Sequence, residues 1–459
     1  MTTTPSPDSS TNKAQASPAP SIRTTTSTAS TTEATTISRP DSYVSDKAPD
    51  DSSKLKTFLS ILRKFIGVSD IAAVRFSLPT QLLEPTPNLE YWNYLDRPET
   101  FIGIGDSDDA LGRMLAVIRF WFTKDLKYVK GKPCKPYNST LGEFFRCNWE
   151  VEDNAPPILG ESRKESATER IDTKNKPVRI SYLTEQTSHH PPVSAWWVDC
   201  PVKGVSARGF DQLSAKFTGT SIKVTPGNYN LGIFINIKRR DNEEYQLTHP
   251  TAYLGGIIRG SLSVNVSDSA FVICPKTKMK AILNYAEESW LGKTQNKVNG
   301  VIFNYDPEND NKNRIKDVPE KDVLAKLEGC WRDEIYYTLP GSKDPTLLLD
   351  LKPLFPSPKI IPPLASQLPN ESLRFWAPVT TAIKSKRFAE ATKLKQELEE
   401  RQREKATQRK ERNVEWKPRF FREAVTQDGR PDLTEEGRKA LEGLQREDYA
   451  LVESEVTGA

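Results

Sequence analysis

Two of the three histidines in this 459-residue chain are neighbours, His189 and His190, inside the run Glu185-Gln186-Thr187-Ser188-His189-His190-Pro191-Pro192. An imidazole can shuttle protons, ligate a metal or donate hydrogen bonds to an anion, and its surroundings decide which. The two prolines stop ladder bonding, so the pair belongs at an irregular strand end, where donors are presented rather than buried. Two adjacent histidines in a loop also have a plain structural reading. A zinc site needs three or four ligands. His249 stands alone, and Cys134, Cys147, Cys200, Cys274 and Cys330 show no paired spacing. No metal is therefore expected. A hydrolase needs an activated nucleophile, and neither a GxSxG elbow nor an HExxH helix occurs. The chain is expected not to be an enzyme and to use no cofactor. Anion binding asks only for donors, and a bound phosphate itself favours the doubly donating imidazolium.

The elements that must position this pair follow from composition and period. Residues 1–53 are almost all Ser, Thr, Pro and Ala, too little to bury against the entropy of ordering, and are expected to be a disordered tail. Residues 54–67 then read as an amphipathic helix, with Leu55, Phe58, Leu59, Leu62, Phe65 and Ile66 on one face and Lys54, Lys56, Arg63 and Lys64 largely outside it. Such a helix serves as a lid or membrane-touching segment, or as an ordinary surface helix. Prolines make 68–100 extended or turn-like, and 110–128 reads as a buried helix.

From 138 to 340 a dozen short runs rich in Val, Ile and aromatics alternate with Gly, Pro, Asn and Asp. They predict a large antiparallel barrel or sandwich, wide enough as a barrel to hold a ligand. The charged ends of 153–177 read as a surface loop, and the stretch after 340 as a Pro-rich connector. Residues 371–413 read as a charged helix, and between 384 and 423 there are 14 Lys and Arg against 8 Glu. The last segment, from about 424 to 459, reads as a partly helical extension with no legible role. A net charge of +4 does not indicate nucleic acid, while a local basic surface suits an anionic membrane. Dispersed cysteines predict reduced thiols in cytosol, and neither a leader nor a transmembrane run is evident.

The run EQTSHHPP, 185–192, resembles the signature EQVSHHPP of the oxysterol-binding-protein-related family, with Thr187 where Val is commoner. KPYNSTLGE, 135–143, is similar to that family's KPxNPxLGE, with Ser139 in place of proline, a change expected to loosen the turn. KLKQELEERQRE, 393–404, resembles its KxxLExxQR stretch, and ESLRFW and WKPRFF also look familial. The resemblance covers about 54–423 and implies a short form without a pleckstrin-homology segment. It implies an α+β fold, predominantly antiparallel β. This is a large incomplete barrel around a lipid tunnel, with 54–67 as lid helix and helices at the C-terminal end.

By the same resemblance, Lys135, Asn138, His189, His190, Lys395, Glu399 and Arg403 match the family's phosphatidylinositol 4-phosphate headgroup site. The spacing of the helix trio is compatible with this. Lys395, Glu399 and Arg403 are four residues apart on one face, spanning ~12 Å, and Glu399 can orient both cations. A solvated ion-pair ladder would look the same. Phe58, Leu62, Ile71, Leu78 and Leu82 are candidates for the tunnel under the lid, although core packing would explain each.

The implied function is exchange of phosphatidylinositol 4-phosphate for a second lipid, a sterol or phosphatidylserine, by a cytoplasmic monomer. It would work peripherally at contact sites of endoplasmic reticulum, Golgi or plasma membrane. A phosphoinositide sensor or scaffold without transport is the alternative of another class. GEFFRCNWE, 142–150, is similar to an acidic two-phenylalanine motif that binds an endoplasmic-reticulum receptor, but its overlap with a strand predicts core.

Overall fold

The computed structural model describes residues 51–72, 78–131, 133–153, 155, 157–159, 177–258, 262–286 and 296–452. The expected tail up to residue 50 and most of the expected 153–177 loop lie outside these. Eight α-helices are described: α1 Asp51–Arg63, α2 Asn88–Tyr91, α3 Pro98–Ile102, α4 Ala110–Thr123, α5 Leu126–Lys130, α6 Ser372–Lys384, α7 Phe388–Glu411 and α8 Glu435–Gln445. The strands are β1 Phe144–Val151, β2 Val178–His189, β3 Pro192–Cys200, β4 Val205–Asp211, β5 Leu213–Phe217, β6 Ile222–Pro226, β7 Ile233–Ile237 and β8 Glu243–Leu247. They continue with β9 Thr251–Gly255, β10 Ser263–Cys274, β11 Met279–Tyr285, β12 Lys297–Asn304, β13 Val323–Cys330, β14 Glu334–Thr338 and β15 Thr346–Asp350.

All strand pairs are antiparallel, and the main path runs β1-β2-β3-β4-β7-β8-β10-β11-β12-β13-β14-β15, with β5, β6 and β9 as a branch that rejoins β10. The path ends at β1 and β15 rather than closing, so the barrel is incomplete. Ser263–Cys274, which in sequence reads as two of the short runs, is one strand, β10. Asp268 takes φ 67° where β10 leaves β9 and begins to pair with β11, so it marks the corner between the branch and the main sheet. TLLLD, expected in the connector, is β15, paired to β14. The expected single helix over 371–413 is two, α6 and α7, separated where Lys386 takes φ 59°.

The first six residues of β1, Phe144–Trp149, are buried because both faces of the strand are covered. Phe145, Cys147 and Trp149 point into the barrel core. Phe144 points the other way, into a second apolar layer with Phe420, Phe421, Leu433, Leu441 and Leu444. On that same outer face Arg146 pairs with Glu371, and the Asn148 amide donates to Leu444 O at 2.8 Å. The segment after 423, read as an extension, therefore covers the outer face of β1–β4. The two phenylalanines of GEFFRCNWE are fully buried on opposite faces and are unavailable to a receptor. Inside the barrel, α4 contributes Met114, Leu115, Ile118, Phe120 and Trp121 to the core. Each such side chain contributes about 1.5–3 kcal/mol by leaving water. The helix fills part of the interior and leaves the space beneath α1 open. Among the described residues, no helix is long and apolar enough to cross a membrane.

Candidate functional site

His189 ends β2 and Pro192 opens β3, and the two residues are register partners, so His190 and Pro191 form the hairpin tip. The rings of His189 and His190 lie 4.6 Å apart, edge to face, and both residues are exposed. The register shifts between Gln186 and Ser188, the irregularity expected from the prolines. Ser188 Oγ donates to Pro191 O at 2.8 Å and ties the tip across its base.

The acids of the two motifs, Glu185 and Glu143, are buried, lie outside the cavity lining and tie neighbouring segments together. Glu185 accepts from the N–H groups of Arg419 and Phe420, each at 2.8 Å. Glu143 accepts from Thr140 N at 3.0 Å, Ser372 Oγ at 2.7 Å and Trp376 Nε1 at 3.1 Å. Burial pushes both carboxyls up to about 7 against these donors.

Lys135 and Asn138 sit on the extended segment before β1. This segment is pinned by Glu84 N to Lys135 O at 2.9 Å, by Tyr137 N to Thr86 O at 3.1 Å, and by Tyr137 stacked on Trp376 at 4.7 Å. Ser139 does not loosen the turn: it is buried, and its hydroxyl accepts from Asn88 Nδ2 at 3.2 Å. Lys135 Nζ donates to Asn138 Oδ1 at 2.6 Å. Burial first, and the Lys395 ammonium second, push the Lys135 amine down to about 8. Lys135 and Lys395, 260 positions apart, are thus brought into one electrostatic neighbourhood.

Of the helix trio, Lys395 is buried and bonds Glu399 at 2.5 Å. Arg403 differs from the expected arrangement around Glu399. Its ion pair is with Glu400 at 2.7 Å, and its side chain is 54% exposed. A long exposed side chain reaches an acid three residues back as readily as one four back.

A cavity of about 1270 Å³ is lined by Lys135, Asn138, His189 and His190, and also by Phe58, Leu62, Ile71, Leu78 and Leu82. Lys395, Glu399 and Arg403 are not part of its lining. α1 lies over it: Leu62 and Phe65 pack with Ile71, Phe217 and Ile257, while Phe58 and Ile61 also reach Leu78 and Leu82. Beyond α1 the chain joins the branch sheet, with Ile71 N donating to Ala215 O at 2.6 Å. The hollow is larger than the ~300–1,000 Å³ of ordinary small-molecule sites. It joins exposed donors to an apolar interior, which suits an amphiphile with an anionic head.

Several polar lining groups carry no sequence signal. Tyr94 donates to Asp211 at 2.6 Å, and burial pushes the Asp211 carboxyl up to about 7. Lys127 lines the wall and pairs with Asp96 at 3.3 Å. These residues lie outside every motif. Gln186, inside the histidine run, and Ser139, inside 135–143, also line the cavity and do fall within motifs.

The fold is that of two solved domains. One is the Osh1 ORD domain in complex with ergosterol (TM-score 0.60, 19% identity, 91% of each chain). The other is the Osh3 ORD in complex with PI(4)P from Saccharomyces cerevisiae (TM-score 0.58, 18% identity, 85% of this chain and 93% of that one). At those identities the likeness establishes the shared fold. The family model described as Oxysterol-binding protein matches residues 57–441. The chain is 43% identical to Oxysterol-binding protein-like protein 1 of Schizosaccharomyces pombe, over 86% of this chain and 92% of that protein. It is 30% identical to Oxysterol-binding protein-related protein 9 of Mus musculus, over 75% of this chain and 44% of that protein. This chain belongs to the oxysterol-binding protein family.

Proposed function

We propose that this protein is a lipid-transfer protein that carries phosphatidylinositol 4-phosphate and a sterol by turns. The observation that carries the reading is that one cavity holds both the donor cluster Lys135, Asn138, His189 and His190 and the apolar residues beneath α1. Two lipids that need the same hollow exclude one another, so loading of one releases the other. The phosphoinositide head sits against Lys135, Asn138 and the histidine pair. Buried Lys395, held by Glu399, adds positive potential from behind, and Arg403 is free to swing from its exposed pair with Glu400. The acyl chains or the sterol rings fill the space lined by Phe58, Leu62, Ile71, Leu78 and Leu82, with α1 as lid.

No bond is made or broken. A gradient of the phosphoinositide between two membranes then moves the second lipid against its own gradient. The protein works from the cytosol, docking peripherally on each membrane. Sterol is favoured as second lipid because family domains of the same fold were solved with ergosterol and with cholesterol.

The test is transfer between two liposome populations with fluorescent sterol, and in parallel with labelled phosphatidylserine. Sterol movement that accelerates when the acceptor carries phosphatidylinositol 4-phosphate supports the reading. Movement of phosphatidylserine alone replaces the second lipid. Phosphoinositide binding with no movement of either makes the protein a sensor.

A further inference from the structure

We propose that the Phe355–Pro356 corner is a membrane-insertion element that seats the cavity mouth on an anionic lipid bilayer. The proposal rests on the lipid-carrying reading and names the surface through which it acts. Phe355 is the most exposed aromatic side chain of the described residues, at 64%. Its neighbour Leu354 packs on the barrel core, so the ring projects because the backbone is held, not because the loop lacks a place to put it.

Three prolines, Pro353, Pro356 and Pro358, restrict the corner. Arg97 Nη1 donates to Phe355 O at 3.0 Å, and Ser357 N donates to Asp96 O at 2.8 Å. A ring kept in water by such bracing has a favourable destination outside the chain.

Position identifies that destination. Pro356 is exposed and also lines the cavity, as do Lys130 and exposed Gly131, so this corner is part of the rim. Lys130 Nζ stands 5.3 Å over the Phe355 ring and donates to Lys352 O at 2.7 Å. Nearby cations differ in how far they are neutralised. Lys352 is paired with Asp333 and Glu334, Lys359 with Glu90, and Arg97 with Glu99. Lys130 and Lys135 are held by carbonyl and amide oxygens, which leave their charge to an outside anion.

A single aromatic corner is far smaller than the ~800 Å² per partner of a stable protein interface. It matches the boundary of a bilayer, where a ring enters the acyl region and a nearby ammonium meets lipid phosphate. Insertion at the rim also removes the water that a lipid tail would otherwise cross on leaving the mouth.

The test uses the full chain and cosedimentation with vesicles of phosphatidylcholine and phosphatidylserine, against pure phosphatidylcholine. Phe355→Asp is expected to weaken binding to the anionic vesicles by about tenfold or more, and Lys130→Ala by about fivefold. Phe355→Leu is expected to stay near wild type. A water-soluble short-chain phosphoinositide reads the cavity separately, and Phe355→Asp is expected to bind it normally. Vesicle binding by Phe355→Asp equal to wild type overturns the proposal, as does an equal loss of soluble phosphoinositide. Failure of the unaltered protein to bind the soluble lipid instead refutes the cavity reading.

Discussion

The hydroxyl of Thr187 donates to the carbonyl oxygen of Ala424 at 2.6 Å. Through this bond the histidine hairpin is tied to the segment that follows the charged helix. Trp416 tightens the tie: its indole N–H donates to Thr187 O at 3.1 Å. The same ring lies against Gly142, where φ is +76° and a Cβ would come within 2.6 Å of it. The residue that departs from the family signature is therefore a fastener, and its replacement by the commoner Val removes the donor while keeping the shape. Thr187→Val is expected to lower unfolding free energy by about 0.5–1.5 kcal/mol. A denaturant midpoint equal to wild type would show that water takes over the Ala424 carbonyl.

The donors at the hairpin tip are separable from the apolar hollow. Replacing His189 and His190 together by Ala is expected to abolish extraction of phosphatidylinositol 4-phosphate from vesicles while sterol uptake stays within about twofold. Both residues are exposed and neither packs in a core cluster, so the fold should survive, as circular dichroism would show. Equal loss of both ligands would defeat the assignment of the headgroup.

Lys135 makes anion capture depend on pH. Its amine titrates near 8 in the folded, unliganded protein because burial and Lys395 disfavour the charged form. A phosphate prefers the ammonium and raises that value, so binding takes up a proton above about pH 8. Phosphoinositide affinity is expected to fall as pH rises through 8 to 10, by up to about tenfold per unit. The sign for stability is opposite: the depressed amine makes folding more favourable as pH rises from 8 toward its unfolded value. Lys135→Arg should flatten the affinity profile, which a titration at pH 7 and pH 9 would check.

Arg146 and Glu371 are both fully buried and bonded at 3.1 Å. Glu371→Gln leaves the guanidinium charge without its counter-charge and is expected to cost about 3–5 kcal/mol. Thermal unfolding reads the loss. An unchanged midpoint would mean that the carbonyl of Tyr449, already 2.9 Å from Arg146, is sufficient compensation.

Local pattern made much of this protein readable. The prolines after His190 are enough to place the pair at a strand end, because a missing N–H acts on its own neighbours whatever the rest of the chain does. Alternating Val, Ile and aromatic runs are enough for a large antiparallel barrel. Helical spacing is enough for α1 and for placing Lys395 and Glu399 within bonding reach. Lys135, Asn138, His189 and His190, picked out by motif, and Phe58, Leu62, Ile71, Leu78 and Leu82, picked out by apolar pattern, line one cavity.

Tertiary structure decided what local pattern cannot carry. Lys395 acts on Lys135 across 260 positions, Asp211 meets Tyr94 across 117, and Arg146 meets Glu371 across 225. Such partners are chosen by topology, and no period or propensity records them. The same is true of the residues after 423, polar in sequence yet packed as a second layer on β1–β4, since Leu433, Leu441 and Leu444 are too few to show a pattern until a strand faces them. Thus the histidine pair was visible as donors at a strand end. That it shares one hollow with the residues beneath α1 is a property of how the sheet curls.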